Sequence, residues 1–204
     1  MKQNTRKRVI ISTSIFIVVV LGGLFAYNWN LYQRNQQLYS ECKEDGCLRI
    51  YGNVQQDLFI DPSYLMNNSF PQIENASYHI LNSFHNTEDM YISGVALWEI
   101  FTQTQILGDN ATYVRFEADD GYQTYFLPIR ILRAHPDKVV IMTHIDGMPM
   151  LSKEEGGEGP LRIAVYLDVI ANDTEVQDTF AQYFQTFVHN SKFSVKYLNA
   201  IYVL

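Results

Sequence analysis

With 204 residues, 47% of them hydrophobic and only 18% charged, the chain has room for a membrane anchor and one domain with a continuous core, but not for two folded domains. Its charge is divided: the first 34 residues carry five basic and no acidic side chains, whereas the rest carry ten basic and 22 acidic ones, a net charge of −12. That balance excludes nucleic acid as a partner and describes a strongly acidic exterior.

Val9 to Gln33 contains no charged residue, and Val9 to Ala26 is almost wholly apolar. At about 1.5 Å of rise per residue, such a run crosses the roughly 30 Å hydrocarbon layer. Lys2, Arg6, Lys7 and Arg8 precede it, and Tyr27, Trp29 and Tyr32 follow it as an interfacial belt would. The expectation is a basic cytoplasmic tail (1–8), a transmembrane helix (9–29), a stalk (30–47) and an extracytoplasmic domain (48–204). The chain would then be a single-pass protein of the cell membrane, held there by its N-terminal helix and placed beside a membrane-protein partner. A cleaved signal peptide is the competing reading of the same run.

Cys42 and Cys47 are the only cysteines, and they flank the turn-forming Lys43-Glu44-Asp45-Gly46. In an exported chain they are expected to close a local disulfide. A metal pair is the alternative, but no second Cys/His cluster accompanies it. Asn-x-Ser/Thr triplets at Asn67, Asn75, Asn110 and Asn172 agree with export.

Within the domain, Leu48–Tyr51 and Asp57–Ile60 read as strands, and Asn67–Asn75, with Pro71, as a loop. Gly94 opens a helix over 95–101, with Leu97, Trp98 and Phe101 at helical spacing. Val114, Phe116 and Ala118 alternate with polar residues as in a half-buried strand, and Asp119-Asp120-Gly121 turns the chain into another, Tyr122–Phe126. Pro128 suits the first position of a short helix, and Val139–Met142 a buried strand. After a loop over 152–159, Leu161–Val169 reads as a strand, Glu175–Phe187 as a helix capped by Thr174, and Leu198–Leu204 as the last strand. Without a regular βαβ rhythm the fold class is α+β: one mixed-sheet domain behind the transmembrane helix.

Five histidines are scattered without metal-ligand spacing, and there is no nucleophile elbow, Walker loop or dinucleotide fingerprint. Glu154, Glu155 and Glu158 read as a solvated loop. The most suggestive segment is Gly156-Gly157-Glu158-Gly159-Pro160-Leu161-Arg162. Its glycines let backbone amides approach an anion, and Arg162 offers a guanidinium fork. The plain alternative is a tight turn with Arg162 in a surface ion pair.

The order of several short motifs resembles the oxidoreductase molybdopterin-binding domain of the sulfite oxidase family. They are Gly94-Val95-Ala96-Leu97-Trp98, Asp120-Gly121-Tyr122, Asp146-Gly147-Met148-Pro149-Met150, Gly159-Pro160-Leu161-Arg162 and Val195-Lys196-Tyr197. The resemblance implies a molybdopterin cofactor held by Arg162, Lys196 and the backbone of Gly156, Gly157 and Gly159. The family's molybdenum-ligating cysteine would fall within Tyr78–Met90, which contains none, and neither Ser83 nor His85 replaces a soft thiolate. Gly157 stands where the family often has histidine, and Tyr197 where it has tryptophan. The resemblance thus leaves two functions: a molybdopterin-binding oxidoreductase-like domain, or a binding or scaffolding module of the same fold without molybdenum chemistry.

Overall fold

The structure is a computed structural model that describes residues 20–23, 25–27, 29, 47–67, 69–152 and 154–204. The chain divides into two compact units, Met1–Ser40 and Glu41–Leu204. In the first unit, the described helical positions fall between Val20 and Trp29. Among the described residues no helix is long and apolar enough to cross a membrane. The expected transmembrane helix is therefore not supported, and its residues 9–19, 24 and 28 lie outside the described set.

The second unit also departs from the single mixed sheet read from the sequence, because its strands form two five-stranded sheets. In the first sheet, β1 (Leu48–Gly52) lies parallel to β10 (Leu198–Val203) and antiparallel to β2 (Leu58–Ile60). On its other edge β10 pairs antiparallel with β5 (Tyr113–Ala118), which carries the two-residue β6 (Leu127–Pro128). Alternation produces this sheet's buried side: Leu48, Ile50, Val114, Phe116, Ile201 and Val203 are fully buried.

The second sheet is built on a hairpin that the sequence reading passed over, β3 (Gln72–Leu81) and β4 (Thr87–Ala96). β4 pairs with β7 (Val139–Ile145), whose far edge takes β8 (Met148–Pro149) and β9 (Arg162–Val165). Tyr78, Ile92, Val140, Met142 and Ala164 pack into one core cluster on this sheet. β9 is buried along its whole length, as suits a strand covered on both faces.

Three boundaries shift. The strand read over 161–169 stops at Val165, because Tyr166 caps the short helix Leu167–Ala171. The helix Thr174–Thr179 is capped by the Asp173 carboxylate, which accepts from the Val176 amide, and not by Thr174. It continues as a π-helical turn over Phe180–Phe184 and ends at Gln185, whose φ of 50° leaves the helical region before Phe187. Tyr122–Phe126 forms no strand and contributes only an isolated bridge from Gln123 to Glu117.

Candidate functional site

The two segments singled out by sequence lie side by side. The Tyr197 amide donates to the Glu158 carbonyl (2.9 Å), the Leu198 amide to Leu161 (3.0 Å), and the Ile163 amide to Val195 (3.0 Å). Gly159 permits this approach, since its φ is +89° and a Cβ there would stand 2.8 Å from the Tyr197 Cα. Entry into β9 then places Arg162, and the run into β10 places Lys196, around one point.

That point is occupied by the Glu158 carboxylate. Arg162 donates from Nη1 to Glu158 Oε2 (2.9 Å) and from Nε to Ser194 Oγ (3.1 Å). Lys196 Nζ donates to the other carboxylate oxygen, Oε1. The arrangement is graded in burial: the Arg162 side chain is 5% exposed, Glu158 39% and Lys196 49%. A single anion therefore bridges a buried guanidinium and a surface ammonium, and that anion belongs to the chain itself. Glu158 was the residue missed, having been read as part of a solvated loop. Its spacing of four residues before Arg162 was the available signal.

The glycine loop does not form an open amide cradle. Glu155 accepts from the Ser152 amide (3.0 Å) and hydroxyl (2.8 Å), bonds that hold its carboxyl below the usual range. The Gly157 amide is committed to the Ser152 carbonyl (2.9 Å), and Gly156 turns the loop with φ +80°. Surface clefts of about 360 and 250 Å³ lie elsewhere, and neither is lined by a residue of this site.

Beneath Arg162, Tyr78 is fully buried and its hydroxyl donates to the Val165 carbonyl (3.4 Å). Burial pushes its phenol up to about 12, with Ser194 and Arg162 opposing the rise. Asn190, also fully buried, ties this floor together. Its Nδ2 donates to the His79 carbonyl (2.8 Å) and the Val165 carbonyl (3.0 Å), and its Oδ1 accepts from the Leu81 amide (2.8 Å). Nothing in the sequence pattern marked Asn190.

A molybdenum centre does not fit the donors present. The stretch 78–90 that should supply a thiolate supplies none, and the His85 ring is stacked on Phe187 at 4.1 Å. Among the described residues no group of three His, Cys, Asp or Glu side chains could hold a metal. The buried His189 donates or accepts at Nδ1 with Ser191 (2.9 Å), while its Nε2 has no partner; burial, then Lys192, lowers its pKa. Cys47 is disulfide-bonded, and Cys42 lies outside the described residues.

No family model matches the sequence, and no curated protein matches it. Among solved structures, the chain is similar to the sulfane dehydrogenase SoxCD from Paracoccus pantotrophus, at 15% identity and a TM-score of 0.56. The match covers 79% of this chain and 39% of that one, so the chain spans about two fifths of that protein's length. At this identity the likeness is one of fold alone.

Proposed function

We propose that the domain is a non-catalytic binding module on a molybdopterin-oxidoreductase-like fold, with Arg162 and Lys196 forming an anion site held closed by Glu158. The observation that carries this reading is the Glu158 bridge: both cations expected to hold a phosphate-bearing cofactor are already engaged by one internal carboxylate. The absence of a thiolate from 78–90 agrees with it. The Cys47 disulfide supports export to an oxidising, extracytoplasmic compartment.

A cofactor-binding oxidoreductase is the second reading, favoured by the fold likeness to a dehydrogenase and by the convergence of Arg162 and Lys196 on one point. Elemental analysis of the full-length protein, with fluorescence of oxidised pterin, separates the two. The module reading expects neither molybdenum nor pterin at stoichiometric levels, and it fails if both are present. It also expects inorganic phosphate to raise the thermal midpoint of Glu158→Gln more than that of the parent protein. An equal response of the two proteins rejects the closed anion site.

A further inference from the structure

We propose that a second, separate site exists for a small organic ammonium ion, in the cleft between the start of β5, the segment leading into β6 and the helix Thr174–Thr179. This cleft, about 360 Å³, has walls of Tyr113, Tyr125, Phe126 and Tyr183, with Glu175 and Asp178 on the helical side. Among the described residues no Lys, Arg or His lines it. The proposal does not rest on the Arg162 site and shares no residue with it.

The rings are arranged as facets and not as a closed stack. Tyr113 and Phe126 meet edge to face with centroids 6.2 Å apart, and Tyr125 and Tyr183 are tilted by 40° at 5.1 Å. Each such pair leaves at least one ring face clear of its partner, and a clear face presents the negative quadrupole that a cation requires. The same surface already uses this interaction internally: the Arg115 guanidinium lies 5.4 Å from the Phe126 centroid, and the Lys192 ammonium 5.1 Å from Phe184. Of the cleft's own rings Phe126 already takes one internal cation, Arg115.

The carboxylates divide the work. Glu175 is fixed at both oxygens, accepting from the Tyr113 hydroxyl (2.5 Å) and from Arg130 Nη2 (2.8 Å), so it cannot offer a fork to an incoming guanidinium. Asp178, three residues on and on the same helical side, is exposed and enters no ion pair among the described residues. A single available carboxylate beside tilted rings suits a compact alkylammonium better than a planar fork. The acidic domain around it favours cations over anions at longer range.

The test is calorimetric titration of the full-length protein with choline and, in parallel, with its neutral isostere 3,3-dimethylbutan-1-ol. Saturable choline binding that the alcohol does not reproduce supports the site. Tyr183→Ala and Asp178→Asn, both at exposed positions, should each weaken it by about three- to tenfold. Circular dichroism confirms that the variants are folded. Equal binding of choline and the alcohol, unchanged affinity in both folded variants, or no binding up to about 50 mM overturns the proposal.

Discussion

Replacing Glu158 by Gln removes a charge from the centre of the site while keeping its shape and one acceptor. The cost follows from what each cation loses. Arg162 is almost wholly buried, so its contact with residue 158 changes from an ion pair to a hydrogen bond on a neutral acceptor, a loss of about 1–2 kcal/mol. Lys196 is half exposed and loses under about 1 kcal/mol, because water replaces its partner. Removing one acid from a domain of net charge −12 relieves some general repulsion, an opposing effect confined to about 8 Å at 0.15 M salt. The expected net loss is about 2 kcal/mol, or roughly 4–8 °C in thermal midpoint for a domain of this size. Denaturant unfolding at 0.15 M salt measures it, with Lys196→Gln as the control expected to cost under about 1 kcal/mol. If Glu158→Gln falls within about 0.5 kcal/mol of the parent, or Lys196→Gln costs as much, the bridge does not hold Arg162 as argued.

Asn190→Ala should cost more, about 2–3 kcal/mol by the same unfolding assay, since it removes a partner of the part-buried Leu81 amide and His79 carbonyl and of the buried Val165 carbonyl. Gly159→Ala should cost at least about 1 kcal/mol through its positive φ and the Tyr197 backbone beside it; a neutral result would mean that the two segments separate easily. For acid stability, Arg130 holds the Asp173 carboxyl below its ordinary value, while Tyr113, then Arg130, do so for Glu175. Their folded pKa values are depressed, so their contribution is complete above the unfolded carboxylate range and is lost as pH falls through the folded values. Asp173→Asn should flatten the stability profile below about pH 4, and an unchanged profile would place the acid sensitivity elsewhere.

The legible parts of the fold were those with a period. β1, β5, β7 and β10 alternate or run apolar because one or both faces are covered, and each was placed near its observed bounds. The β3–β4 hairpin was invisible for the converse reason. Only Tyr78 and Ile80 of β3 are buried, and a register shift between Ile73 and Ala76, where Asn75 takes φ 48°, breaks what alternation it has. Gly94 was read as the start of a helix, but it lies within β4 where a Cβ would meet the Ile141 carbonyl oxygen at 2.0 Å. Composition cannot distinguish a glycine that frees a turn from one that lets two strands pass. At the site, the cations were found because charge type and motif order single them out. Their bridging partner was not, since a glutamate in a glycine-rich loop looks the same whether it faces water or a buried arginine.

That partner bears on what the site could ever bind. Glu158 is covalently tied four residues from Arg162, so its carboxylate acts at an effective concentration of at least the millimolar order, without the association entropy that a free anion must meet. A monovalent anion offers the two cations no more than Glu158 already does and has to enter a domain of net charge −12. Only a ligand with more charge than a carboxylate, or with additional contacts beyond Arg162 and Lys196, gains enough to displace it. Displacement would leave Glu158, already 39% exposed, free to turn into water at little cost. On the proposed reading the closed bridge is therefore a filter on charge: a monovalent anion does not displace Glu158, whereas a dianionic phosphate or phosphoester has the charge to compete with it.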